Sequence, residues 1–290
     1  MARWILVAGS LLGGLIAVGA VAVGIGGAVW QRQTERAVAR LQEGRGAGVV
    51  DLAVLSPEMW DSLPAPVARY FERVLPRDQP PASALRIRWA GEFQTQPDGG
   101  WVPFTAEQHF TVRPLGFVWD AEIQMLPLVP VRVRDGYRAG AGTMLGRIGG
   151  VLRVVDEGGT PEMAQSALAR WLGEAVWFPT ALLPGAAGGG VRWEAIDENT
   201  ARATITDEEV SAAAEFRFAP TGEIIAMKAL RYRDVDGTPV LTPFEGHYGE
   251  YARISGVLVP QRAEVAWLLP DGRFPYWRGR PEAIEYEPAR

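Results

Sequence analysis

Few residues in this sequence could do chemistry, and their spacing narrows what that chemistry could be. The chain has two histidines and no cysteine. Disulfides, thiol nucleophiles and thiolate-held metals are therefore excluded. His109 shares an alternating stretch with Glu107, and His247 precedes Glu250 by three residues. Neither fits an H-E-x-x-H spacing, so no metal or other cofactor is expected. There is no G-x-S-x-G elbow and no evident serine–histidine pairing. Gly140, Gly142, Gly146, Gly149 and Gly150 are not followed by the Lys-Ser or Lys-Thr of a phosphate loop. Carboxylates remain. Glu174 falls between Trp171 and Trp177, one helical turn after Arg170. It is either half of a surface ion pair or a partly buried acid with a raised pKa. Asp120 is a second candidate, and the two could form an acid/base pair if the fold joined them.

The element that must position Glu174 is a helix over 161–177. Thr160 is a good N-cap, Pro161 suits the first helical position, and Glu162 complements the dipole. Met163, Ala167, Leu168, Trp171, Leu172 and Ala175 make one apolar stripe. Pro179 disfavours helix at Phe178 and sets the end. A shorter helix begins at Leu63-Pro64-Ala65-Pro66, with Val67, Tyr70, Phe71, Val74 and Leu75 on one face. Pro76, Pro80 and Pro81 end it.

Around these helices the period changes to two. Leu85, Ile87, Trp89 and Phe93 alternate with Arg86, Arg88 and Glu92. Phe104, Ala106 and Phe110 alternate with Thr105, Glu107, His109 and Thr111. Phe117, Trp119, Ala121 and Ile123 oppose Asp120 and Glu122, and Val129, Val131 and Val133 oppose Arg132 and Arg134. Gly140–Val155 is expected as one further strand. After a glycine-rich joint at Gly185–Gly190, strands resume to Tyr286. Val210, Ala212, Ala214, Phe216 and Phe218 form one inner row; Ala263, Val265, Trp267 and Leu269 form another. Asp120, Glu122, Arg132 and Arg134 are placed to pair across neighbouring strands. The expected fold class is α+β: one large curved antiparallel sheet of about eleven strands, half-barrel-like, enclosing one or two helices.

The totals agree with a large core: 48% of residues are hydrophobic and eleven are tryptophan. The net charge of −5 argues against a nucleic-acid partner. At the N-terminus, Trp4–Trp30 carries no charge and is long enough to cross a bilayer. A transmembrane anchor over residues 1–30 is therefore expected, followed by a linker helix within 31–55 and a β domain over 56–290. A cleaved signal peptide ending near Ala20-Val21-Ala22 is the rival reading. The expected location is a single-pass membrane protein with its body leaning extracytoplasmic. Oligomeric state is not specified.

Four motifs resemble one bacterial family of unknown function whose members often carry an N-terminal hydrophobic segment. They are Leu63-Pro64-x-Pro66-Val67-x-Arg69-Tyr70, Trp101-x-Pro103-Phe104-x-Ala106-Glu107-Gln108, Phe117-x-Trp119-Asp120-Ala121, and Glu174-Ala175-x-Trp177-x-Pro179-Thr180-Ala181-Leu182-Leu183. Glu264-Val265-Ala266-Trp267 fits the same pattern. The resemblance implies a shared fold and brings no catalytic residues. More loosely, the architecture is similar to the Lol lipoprotein carriers, which implies an open half-barrel holding acyl chains.

Width sharpens the expectation. About eleven strands at ~4.8 Å spacing span roughly 50 Å, whereas a helix covers about 10 Å. The sheet must curl around its helices or leave an apolar hollow. The first functional expectation is therefore non-enzymatic binding of a lipid or acyl chain. Trp89, Phe104, Phe110, Trp119, Trp171, Glu174, Trp177, Phe216 and Trp267 would line the site. A hydrolase using Glu174 or Asp120, and a structural or partner-binding module with a filled core, are the alternatives.

Overall fold

The computed structural model describes residues 2–45, 57–75, 82–126, 129–185 and 190–288, with side chains of residues 2–18, 57, 58, 126 and 288 outside the description. Three helices come first: α1 (Ala2–Gln42), α2 (Pro57–Ser62) and α3 (Ala65–Val74). The period-two sequence then becomes a meander of six strands. These are β1 (Ala82–Phe93), β2 (Val102–Thr111), β3 (Gly116–Leu126), β4 (Val129–Arg138), β5 (Ala141–Ile148) and β6 (Leu152–Gly158). α4 (Pro161–Glu174) and two short 3-10 turns, Ala175–Trp177 and Pro179–Leu182, separate it from the second half. That half contains β7 (Arg192–Asp197), β8 (Thr200–Asp207), β9 (Val210–Phe218), β10 (Ile224–Val235), β11 (Thr238–Gly249), β12 (Ala252–Ile254), β13 (Val257–Val259), β14 (Arg262–Leu269) and β15 (Gly272–Pro288).

Thirteen strands form one antiparallel sheet in the order β6-β5-β4-β3-β2-β1-β15-β14-β11-β10-β9-β8-β7, while β12 and β13 make a separate hairpin. The final strand thus pairs with the first and joins the two meanders at the centre. β6 and β7 end the order without pairing, so the sheet is not closed. The count exceeds the expected eleven partly because Gly140–Val155 is a hairpin rather than one strand. Gly149 and Gly150, at φ 60° and 75°, make its turn, a conformation that favours glycine.

Register puts the apolar residues on one face. Leu85 lies opposite Phe110, Trp89 opposite Ala106, and Phe117 opposite Phe110. Phe244 lies opposite Trp267 on the far side of the centre. The other face carries cross-strand ion pairs, among them Arg132–Glu122 at 2.6 Å and Arg86–Glu107 at 2.6 Å. α4 packs on the apolar face and touches both β3–β6 and β9–β10. Those strands lie far apart in sheet order, and a helix is only about 10 Å wide, so the sheet curls around α4. The two arms meet beside it. The Tyr137 hydroxyl donates to Asp207 Oδ2 at 2.9 Å, and the Gly140 N–H donates to the same oxygen at 3.2 Å.

α4 begins as its sequence dictates, with Thr160 Oγ1 accepting from the Met163 N–H. It stops at Glu174 rather than Trp177, where tighter turns take over ahead of Pro179. On α3, Val67, Tyr70, Phe71 and Val74 are fully buried.

The expected transmembrane anchor requires correction. Among the described residues no helix is long and apolar enough to cross a membrane. α1 continues unbroken through the expected linker to Gln42 and packs on the outer face of β2–β4. Trp30 is 1% exposed. Its indole donates to Asp120 Oδ1 at 2.7 Å, and the Thr34 hydroxyl donates to Oδ2 at 3.0 Å. The Arg134 guanidinium stacks 4.2 Å above the Trp30 ring. A Cβ on Gly26 would come within 3.0 Å of the Gly150 backbone, so the small residues of this run permit close approach to the sheet. The single-pass membrane location is overturned. Residues 46–55 of the expected linker, the stops at Pro76, Pro80 and Pro81, and the joint at 186–189 lie outside the described residues.

Candidate functional site

Beneath α4, side chains from four elements form a chain of polar contacts inside the curl. α4 presents Arg170 and Glu174 one turn apart. Arg170 Nε donates to Glu174 Oε1 at 2.9 Å, and Nη1 donates to Asp135 Oδ2 on β4 at 2.5 Å. Gln108 on β2 donates through Nε2 to Glu174 Oε2 at 2.8 Å and accepts from the Trp89 indole at 2.9 Å. Phe117 and Trp119 lie under the Arg170 guanidinium, with ring centres 5.0 and 4.9 Å away. Burial pushes the Asp135 carboxyl up from its ordinary value, against the pull of Arg170 and Arg231. Burial works against the Arg170 charge, but Glu174 and Asp135 outweigh it and hold that pKa up. The side chains of Arg170, Asp135 and Glu174 keep 16%, 21% and 22% of their surface. They line a space that water can enter.

That space has one filled end and one more open end, the hollow, where large apolar side chains stay partly exposed. At the filled end the short turns after α4 insert Trp177. Its ring meets Trp89 edge-on at 4.8 Å and its indole donates to the Pro260 carbonyl at 2.8 Å. Ala181, Leu182 and Leu183 are buried beside it, and Trp193 donates to the Leu182 carbonyl at 2.9 Å. At the hollow end, inward-facing Phe93, Val131, Val133, Trp267, Tyr276 and Trp277 are only partly buried. These residues gather near one edge of the sheet, close to where β1 and β14 end and β4 and β15 begin. Trp267 and Tyr276 stack at 5.9 Å with ring planes 16° apart. Arg231 of β10 joins them, its guanidinium 4.6 Å from the Phe244 ring and 5.6 Å from that of Trp267.

Of the nine residues expected to line a ligand site, Trp89, Phe104, Phe110, Trp119, Trp171, Trp177 and Phe216 are buried in the packed interior. Trp267 and Glu174 keep exposed surface. The Arg170–Glu174 pair exists, but it lies inside the curl rather than on the outer surface. Asp120 is elsewhere. It sits on the outer face holding α1, and burial raises its pKa against the hydrogen bonds from Trp30 and Thr34. Asp120 and Glu174 are on opposite faces of the sheet and cannot act as a pair. Both Glu174 oxygens are already engaged, by Arg170 and Gln108.

Outer-face pairs account for both histidines. His109 lies 2.8 Å from Glu107, and His247 lies 3.2 Å from Glu245 rather than against Glu250. Among the described residues no three His, Asp or Glu side chains gather as metal ligands would. Sequence reasoning missed Gln108, Asp135 and Arg231. A signal was present for two of them. Gln108 falls between Ala106 and Phe110 in the inward row, and Asp135 continues the row of Val131 and Val133.

No curated protein matches the chain. Among solved structures it is similar to a LolA superfamily protein from Nitrosomonas europaea, at 11% identity and a TM-score of 0.40, covering 77% of this chain and 92% of that one. It is also similar to a DUF1329 family protein from Desulfovibrio piger, at 9% identity and a TM-score of 0.42, covering 79% and 92%. Both similarities are too distant to transfer a ligand. The motif Glu174 to Leu183, whose residues from Ala175 on are buried at the filled end, lies within residues 53–279, the stretch matched by one family profile, and the chain belongs to that family, the family of unknown function DUF6544.

Proposed function

We propose that this chain is a non-enzymatic binding protein that holds a lipid or acyl chain between α4 and the curled sheet, which serves as a half-barrel. One observation carries the reading. Trp267, Tyr276, Trp277 and Phe93 face inward yet remain partly exposed, while α4 packs mainly on strands of the two arms. A monomeric core normally fills to crystal-like density. Large rings left unfilled on a concave face are the lining expected of an apolar ligand site.

The test is native mass spectrometry of the full chain after incubation with a bacterial lipid extract. The wild type is expected to carry a lipid adduct, and a folded Trp267→Asp variant is expected to lose it. A wild-type chain that stays at its unliganded mass would overturn the proposal.

A further inference from the structure

The hollow holds a cation with unused donors. Arg231 Nε donates to the Ser166 carbonyl on α4 at 3.1 Å, which fixes the side chain against the helix. Phe244 and Trp267 flank the guanidinium. Among the described residues no carboxylate lies within ion-pair distance, and neither terminal nitrogen donates a hydrogen bond. Arg170, by contrast, is shared between two carboxylates. Five N–H groups in a planar fork are the whole donor set of an arginine, so among the described residues Arg231 keeps four of its five without a protein acceptor.

The charge balance decides what those donors would accept. Around Arg170, the carboxylates Asp135 and Glu174 stand against the cations Arg170 and Arg231, two of each sign within this group. Arg231 is also close enough to Asp135 to stabilise its charge. An anionic head entering the hollow would add an uncompensated charge beside Asp135, which is costly at a site this largely buried. A neutral acceptor adds none and still satisfies the free N–H groups. We propose that Arg231 binds the uncharged carbonyl of an ester- or amide-linked acyl group, with the hydrocarbon chain lying along Trp267, Tyr276 and Trp277. This rests on the lipid-binding reading above and narrows it to acyl esters and amides over free fatty acids and plain hydrocarbons.

The experiment is displacement of the neutral fluorescent reporter N-phenyl-1-naphthylamine from the full chain. The competitors are methyl dodecanoate, dodecanoate and dodecane. Methyl dodecanoate is expected to displace the reporter at concentrations about tenfold lower than either of the others. Arg231→Met should abolish that preference while leaving the dodecane response unchanged, and Arg231→Gln, which keeps a donor, should restore part of it. Equal displacement by all three, or preference for dodecanoate, would overturn the carbonyl assignment and leave lipid binding standing. A preference that survives in Arg231→Met would overturn the role of Arg231. A reporter that binds but is displaced by none of the three, or that fails to bind, would count against the lipid-binding reading itself.

Discussion

The filled end and the hollow end are built from the same residue types, yet they handle space and polarity in opposite ways. Around Trp177 the rings interlock. Trp177, Trp193, Tyr248 and Tyr286 each send their polar atom to a backbone carbonyl. Such bonds satisfy a buried donor without introducing a charge. Around Trp267 the rings stack but keep exposed surface, and the polar group among them is the charged side chain of Arg231, which has no ion-pair partner among the described residues. The first arrangement is suited to stability and the second to a guest. Position along the sheet explains the difference. The short turns after α4 insert an apolar plug against β1, β11 and β15 at one end, and no described segment does so at the other.

This contrast can be broken most directly by truncating one ring at each end. Trp177→Ala should destabilise the fold by about 3–5 kcal/mol, as for large-to-small changes in packed cores, measured by urea unfolding. Trp267→Ala should cost about 1 kcal/mol, the centre of ordinary substitutions, while removing lipid binding. Equal losses would mean that the hollow is simply core. Between these lies Gly142→Ala. An added Cβ would sit 2.6 Å from the Met163 carbonyl oxygen, so β5 must move off α4. A cost of about 1–3 kcal/mol is expected from overpacking, with lipid binding weakened if the grip of α4 on that arm shapes the hollow.

How much of this was legible in the sequence differs by region. The filled end was legible, because its packing follows from local rules. Alternation put Trp89, Phe110 and Phe216 inward, and Thr160, Pro161 and Pro179 bounded the helix. Width alone left two outcomes open, a curl or an apolar hollow, since α4 cannot cover so broad a face. The N-terminus was misread for a physical reason. An uncharged Gly- and Ala-rich run suits a bilayer and also suits close packing on a sheet, and only tertiary partners decide between them. The partner that decided it was Asp120, whose two oxygens hold Trp30 and Thr34. The polar side of the hollow was illegible for a related reason. Gln108 and Asp135 occupy inward positions that polar residues usually avoid. The contacts that make them tolerable come from Trp89, Arg170 and Glu174 on other elements, distances that no local spacing encodes.

The smallest effect separates the two faces by pH. Burial raises the pKa of Asp135 in the fold. At low pH both folded and unfolded chains hold its proton, and its stability term is whole. As pH climbs past the ordinary aspartate value near ~3.9, the unfolded chain ionises first. The native state then loses stability until its own higher pKa is passed. On the outer face Glu245 behaves oppositely. Burial pushes its pKa up, but hydrogen bonds from Arg273 and His247 outweigh that and hold it down. Its contribution is present above the ordinary glutamate value and is lost as pH falls toward the lowered one. Unfolding free energies of the wild type minus Asp135→Asn should therefore fall as pH rises from the acid side, and those of the wild type minus Glu245→Gln should rise. A rising Asp135 curve would show that Arg170 and Arg231 dominate its environment. The hollow would then be a site of stabilising ion pairs like those outside, rather than an interior held open at a cost in stability.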